Sequence, residues 1–427
     1  MDYQQSRPFE NITNYFKYCN EGSMQGQKHI QFLTDLNEED TKKELLKEFE
    51  IRYGESNNSV IVIASPGRIN IIGEHIDYNG GKVFPAAIDR FLYVLIRERS
   101  DTKIIYDDIR FPGRLVFDIH DTFTYDKKND YANYLNGMYT ILQNKGLNVL
   151  SGFEVLLFSK LPAGGGISSS SALEIGFGLA LAKLFDFKID GIALAKAGQQ
   201  SEHEFMSVNC GIMDQFSIAM GKKNYAMLLD TASLEYEYVP LELKSYKFIV
   251  MNSNKQRSLA DSKYNERRSE CEEGLRLLQK ALPVNFLCEI TADDFFANQH
   301  LISDETIKKR VRHCIFENER VYKAVAALQK EDLKTLGELL NQSHQSLKSD
   351  YEVTGFELDC LQEAAVKQEG CLGARITGAG FGGCAIALVH KNSIDAFIES
   401  VSKEYFEKTG LRAEMFACKA GQGAAVL

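Results

Sequence analysis

Tryptophan is absent from this chain of 427 residues, so any site that stacks a ring must be built from its 19 tyrosines and 26 phenylalanines. No apolar run comes near the ~18 residues of a membrane-spanning helix, and the opening MDYQQSRPFENI lacks the apolar core of a secretory signal. No membrane partner is expected. The nine cysteines, an odd count, form no C-x-x-C pair, which gives neither a zinc pattern nor a disulfide framework and points to reduced thiols in the cytoplasm. Positive charge is not in excess either. Lys and Arg number 49 against 59 Asp and Glu, and the net charge of −10 disfavours nucleic acid as a partner. Internal repeats and low-complexity tracts are missing as well.

What is present is an ordinary globular balance, 44% hydrophobic and 25% charged, which argues against disorder. At about 100–200 residues per domain, the length suggests two or three domains. Residues 1–50 are polar and helix-prone and carry no nameable chemistry. Apolar patterning predicts strands at 59–64, 84–88, 91–98, 153–158, 225–230 and 246–251, and helices over 172–185 and 192–205. Helices follow at 263–281, 305–329, 331–345 and 355–369, then strands at 374–377 and 384–390, a helix at 393–408 and a strand at 413–418. That order resembles a split β-α-β module with inserted helices. The polar, acidic segment 231–245 places a domain boundary near 240, dividing the chain into 1–240 and 241–427.

Three clusters carry chemistry. The first, GRINIIGEHIDYNGG at 67–81, gathers one cation, two carboxylates, an imidazole and a phenol, a density of donors and acceptors suited to a polyhydroxylated ligand. A surface turn with an internal salt bridge is the alternative. The second is the run Gly164, Gly165, Gly166 between a strand and a helix, followed by Ser168, Ser169, Ser170 and Ser171. Glycines let the backbone curl around an anion, and the helix start points free N–H groups and a positive dipole end at it. It is neither a Walker A loop nor a dinucleotide fingerprint, and a plain Gly/Ser turn is the competing reading. Glu202, late in one helix, and Asp214, opening the next, meet across the Cys210-Gly211 turn; two such carboxylates can divide metal holding and proton acceptance, or Asp214 can simply cap its helix. The third, RITGAGFGG at 375–383, joins two strands as a close-approach turn or a tight hairpin.

In this order the clusters resemble the GHMP kinase superfamily, and GRINIIGEHIDYN follows the galactokinase pattern G-R-x-N-(L/I/V)-I-G-E-H-x-D-Y-N at every defined position. CGIMDQF at 210–216 and NSNKQRSLADSKYNERRSECE at 252–272 are similar to galactokinase segments too, so the resemblance runs from about Ser59 to about Lys419. It implies an α+β, two-domain architecture, a mixed-sheet N-terminal domain and a ferredoxin-like C-terminal domain with inserted helices, with the active site between them. By the same resemblance Asp214 is the catalytic base and Arg68 its neighbouring cation. Glu74, His75, Asp77, Gly211, Asp214 and Tyr264 fall at galactose-contacting positions, and Ser170 and Glu202 at Mg²⁺ ligands. Gly164, Gly165, Gly166, Ile167, Ser168, Ser169, Ser170 and Ser171 fall at the ATP phosphate loop. The implied reaction is ATP-dependent phosphorylation of D-galactose at O1. Departures are Ile167 for the usual Leu or Met, Ser171 for Ala, Tyr131 where the family's adenine pocket often has Trp, and Gln256 between Lys255 and Arg257 where a basic residue is common. A kinase for N-acetylgalactosamine or arabinose, or a galactose- and ATP-binding sensor without turnover, are the rival readings; the intact Ser171-Ala172 pair favours an enzyme, since such sensors lose it.

Overall fold

The computed structural model describes residues 24–111, 113–162, 166–255 and 260–427; Gly164, Gly165, Gln256 and Arg257 therefore lie outside the described residues. In chain order the strands are β1 (Ile61–Asn70), β2 (Lys82–Val83), β3 (Pro85–Glu98), β4 (Lys103–Asp108), β5 (Leu115–Asp118), β6 (Phe153–Ser159), β7 (Tyr225–Asp230), β8 (Tyr236–Pro240), β9 (Tyr246–Asn252), β10 (Cys371–Thr377), β11 (Cys384–His390), β12 (Glu414–Cys418) and β13 (Ala425–Val426). They form a six-stranded sheet in the order β13-β1-β3-β6-β4-β5, a four-stranded sheet β10-β11-β9-β12 and a three-stranded sheet β2-β7-β8. The first sheet is mixed, because β4 runs parallel to β6 while its other neighbours are antiparallel. The second is antiparallel throughout, and its order is that of a ferredoxin-like module whose first crossover has been lengthened by the helices between β9 and β10.

The apolar run that opens β1 is unbroken because both faces of the sheet are covered. Ile63 and Ile69 face the main core, with helix Ser169–Leu184 laid across β1 and β3. Val62 and Ala64 face a second core with Leu45 and Phe49 of helix Glu38–Tyr53. The polar N-terminal region thus has a packing role from residue 24 onward: it roofs the outer face of the sheet. Its helix starts where Asn37 accepts a bond from the Asp40 N–H at 3.0 Å, and the acids of its first turn suit the dipole.

The strand β1 is bulged between Pro66 and Arg68. A side chain at Gly67 would place Cβ 2.9 Å from Leu161 and 3.0 Å from the Ile167 carbonyl, so only glycine allows the loop before helix Ser169–Leu184 to press against the strand. The Arg68 N–H donates to that same carbonyl at 3.1 Å. Bulges re-aim side chains, and this one turns Arg68 toward the serine-rich loop.

Several expectations need adjusting. The predicted strands 84–88 and 91–98 are one long strand, β3. The acidic segment 231–245 contains β8, which pairs with β7, and the chain enters the four-stranded sheet at Tyr246, six residues after β8 ends at Pro240. The strands β4 and β5 and the helix Ala132–Asn144 were not anticipated. After β12 the chain crosses back to the first sheet. Gly421 N–H donates to Ala87 at 2.8 Å, Gly423 to Gly221 at 2.9 Å and Ala424 to Ile218 at 2.8 Å, before β13 pairs with β1.

Candidate active site

Between the two sheet systems lies a cleft of about 440 Å³. At its base, Arg68 grips Asp214 with two parallel bonds, Nε to Oδ1 at 2.8 Å and Nη2 to Oδ2 at 2.7 Å. Its remaining fork, Nη1, donates to the Gly166 carbonyl at 2.7 Å and fixes the loop beside the carboxylate. The guanidinium is almost wholly buried, at 3% exposure, whereas the Asp214 side chain keeps 29%, so one edge of the carboxylate still meets the cleft. Ser168 bonds the same carboxylate through its hydroxyl. Capping does not explain Asp214: the cap position of helix Met213–Met220 is Ile212, without a side-chain cap bond.

Helix Ser169–Leu184 begins at the cleft wall. Ser168 precedes it in a left-handed conformation, φ 60° and ψ 50°, and leaves the helix start uncapped by a side chain because its hydroxyl is turned to Asp214. Ser169, Ser170 and Ser171 follow along the wall, and Glu202 lines the same cleft. Open N–H groups at a helix start, beside hydroxyls, are an anion seat. Behind Glu202 the fully buried Glu174, which sequence reading missed, is held well above the usual carboxylate range by burial, with the charge of Glu202 adding to it.

The polar arc forms the opposite wall. Glu74, 1% exposed, is paired with Arg375 at 2.6 Å and accepts the Gly378 N–H at 2.7 Å. His75 has φ 62°, and burial lowers its pKa to about 3, so the ring is neutral. Since Nε2 meets the Ala379 carbonyl at 3.1 Å it must carry the proton, and Nδ1 accepts from the Tyr78 hydroxyl at 2.8 Å. Tyr78 in turn meets the Tyr351 hydroxyl at 2.8 Å. Both ring nitrogens are therefore occupied within the protein. Burial and the facing charge of Asp214 push Asp77 up to about 7, against the Met213 N–H that bonds it. Tyr264 packs its ring 5.4 Å from His75 and 5.3 Å from Tyr78, and burial keeps its phenol neutral. Gly211 lies so close that a Cβ there would sit 1.9 Å from an Asp77 carboxylate oxygen.

The cleft thus brings together Arg68, Glu74, His75, Asp77, Gly166, Ser168, Ser169, Ser170, Ser171, Glu202, Gly211, Asp214 and Tyr264. Ile167 is buried beneath the loop, its carbonyl tied to Arg68. Tyr131 is not part of the cleft lining; it stacks on Phe111 at 6.0 Å, and Tyr125 and Tyr134 are the lining aromatics on that side. Gly378 and Ala379 show what the third glycine cluster does: its backbone reaches across to Glu74 and His75.

Comparison with known proteins agrees with this geometry. Residues 47–98 match the galactokinase galactose-binding signature, 133–222 the GHMP kinases N terminal domain and 324–408 the GHMP kinases C terminal model. A galactokinase of Enterococcus faecalis is 47% identical over 382 residues, 89% of this chain and 98% of its own length. One from Clostridium acetobutylicum is 46% identical over 85% of this chain and 94% of its own length. Among solved structures, a Lactococcus lactis galactokinase complexed with galactose superposes with TM-score 0.87 and 44% identity, over 90% of this chain and all of that one. A Methanococcus jannaschii mevalonate kinase shares the fold alone, with TM-score 0.60 at 20% identity over 86% of this chain and all of that one. Identity of this extent, over nearly the whole of both chains and on the same two-domain α+β frame, means that the chain belongs to the galactokinase family of the GHMP kinases.

Proposed function

We propose that the protein transfers the γ-phosphoryl group of ATP to the O1 hydroxyl of D-galactose, the entry step of galactose catabolism by the Leloir pathway. The observation that carries this reading is the Asp214 carboxylate, clamped by Arg68 at 2.7 Å and 2.8 Å and open on one edge to a cleft with an anion seat on one wall and a polar arc on the other. In the proposed reaction Asp214 takes the O1 proton, the O1–Pγ bond forms and the bond from Pγ to the ADP oxygen breaks. Arg68 holds the carboxylate in place, and the amides that open helix Ser169–Leu184 cradle the phosphates. Phosphoryl transfer asks for positioning and charge neutralisation more than covalent work, and the site is built for that.

Ser170 and Glu202 suit a Mg²⁺ ion. Both line the cleft and offer hard oxygen atoms, and among the described residues no group of three or more His, Cys, Asp or Glu suited to a metal is gathered, so most of an octahedral shell is left to phosphate oxygens and water. When bound, such an ion neutralises phosphate charge. The division into 1–240 and 241–427, with Lys419–Leu427 crossing back, and a cytoplasmic location belong to the same reading. The cysteines among the described residues are free, in keeping with that location, and among the same residues no helix is long and apolar enough to cross a membrane.

The test is purified protein with MgATP and a panel of hexoses, hexosamines and pentoses, scored for ADP and sugar phosphate. Galactose should be the preferred acceptor and glucose poor, because an equatorial O4 leaves partners in a site built for the axial hydroxyl unmatched. Comparable use of the two, or turnover of N-acetylgalactosamine in preference to galactose, would overturn the assignment. Gly211→Ala supplies a second check. The new methyl must displace the Asp77 carboxylate, so galactose KM should rise by ~10-fold while ATP KM holds; an unchanged galactose KM would remove Asp77 from the sugar's neighbours.

A further inference from the structure

Residues 70–74, the floor of the polar arc, are held from below by the C-terminal domain. Arg375 on β10, wholly buried, divides its guanidinium between two tasks. Nη1 donates to the backbone carbonyls of Ile71 at 2.9 Å and Asn70 at 3.3 Å, and Nη2 meets Glu74 Oε2 at 2.6 Å. Two residues along, Thr377 Oγ1 accepts the Asn70 N–H at 2.9 Å, and the Gly378 N–H reaches Glu74 Oε1 at 2.7 Å. Asn70 bonds Oε2 through its side-chain amide. From the opposite side the His313 ring, neutral because burial lowers its pKa to about 4, donates from Nε2 to the Glu74 carbonyl at 3.0 Å. Each oxygen of the Glu74 carboxylate is therefore tied to the protein, and the carboxylate cannot turn.

Building on the proposed galactokinase activity, we propose that Arg375 is a positioning residue for the sugar: without touching substrate, it fixes the Glu74 carboxylate in the one orientation that accepts a galactose hydroxyl. The shape of the guanidinium matters as much as its charge, since a planar fork can bridge a carboxylate and two carbonyls while an ammonium is a point donor. Burial alone pushes Glu74 up, and Arg375 is the strongest opposing influence. Among the described residues the bonds of Arg375 go to Asn70, Ile71 and Glu74 and to none of Ser168 to Ser171, so its influence should fall on galactose and not on ATP.

The test uses full-length Arg375→Lys and Arg375→Gln, with galactose and ATP varied in turn, galactose calorimetry and thermal melts. Galactose KM and Kd should rise at least ~10-fold in Arg375→Gln and less in Arg375→Lys, with ATP KM within about threefold of wild type. A lowered Tm with unchanged galactose KM would make Arg375 structural only. Should Arg375→Gln fail to fold because Glu74 is left as an unpaired buried charge, Glu74→Gln/Arg375→Gln removes both charges. Its galactose KM should equal that of Glu74→Gln alone, and a further loss from the second substitution would show that Arg375 does not act through Glu74. Wild-type protein that binds no galactose would overturn the proposed function and this inference together, whereas galactose-binding wild type with an unaltered Arg375→Gln overturns the inference alone.

Discussion

Asp214→Asn should still bind galactose but turn over at least ~10²-fold more slowly. The amide keeps the volume of the side chain and can still accept the Ser168 hydroxyl and one Arg68 N–H, but it cannot take the O1 proton. Half of the two-point Arg68 grip is lost as well, because the Asn NH₂ must face a guanidinium N–H where an oxygen stood 2.7 or 2.8 Å away. Helix capping cannot produce the same result, since Asp214 lies in the first turn and caps nothing. Calorimetry with galactose beside steady-state kinetics checks the point; turnover near that of wild type would leave the base unidentified.

The second large effect is expected at Glu202. Glu202→Gln should lower turnover by ~10²-fold at low millimolar Mg²⁺, recover part of it as the metal is raised, and leave galactose binding without nucleotide unchanged. A fold defect is not expected to confuse the outcome. The charge of Glu202 stands near the buried Glu174 and disfavours its ionisation, and thermal melts of variant and wild type check that the fold is kept. Titration of activity against Mg²⁺ for both proteins decides it. Full activity of the variant at low metal would reduce Glu202 to a wall of the cleft.

Much of the fold was legible wherever one element carries its own pattern. The helix Glu305–Gln329 and the strands Tyr225–Asp230 and Cys384–His390 stand where periodicity put them. The strands β4 and β5 escaped because their sequences, KIIYDD and LVFD, carry carboxylates that read as loop. Asp107 and Asp108 are nevertheless buried, with Arg114 paired to Asp107 at 2.8 Å and Arg110 within 3.8 Å of Asp108, a compensation invisible until the chain is folded. The polar arc and the serine loop were legible because their chemistry is contiguous. Arg375, His313 and Glu174 were not, because each gains its meaning from a partner far away in the chain. Which ring serves an adenine is a matter of the same kind: Tyr131, placed there by resemblance, stacks on Phe111, while Tyr125 and Tyr134 are among the residues lining the cleft.

The pairing of β13 with β1 bears on the order in which the first sheet assembles. Val426 pairs with Ile63, and the Leu427 N–H reaches the Val62 carbonyl at 2.9 Å, so one edge of β1 is covered by a strand that follows the four-stranded sheet in the chain. The strands β3 and β6 lie nearer in sequence and can join β1 first, while its other edge stays open until β13 arrives. An open strand edge invites pairing with another chain. The thermodynamic cost of so distant a contact is small, because loop-closure entropy grows only with the logarithm of length, but non-local pairing is slow. Substitutions that weaken the β13 pairing should therefore act on the yield of folded protein, through the exposed edge of β1, more than on the activity of the molecules that fold.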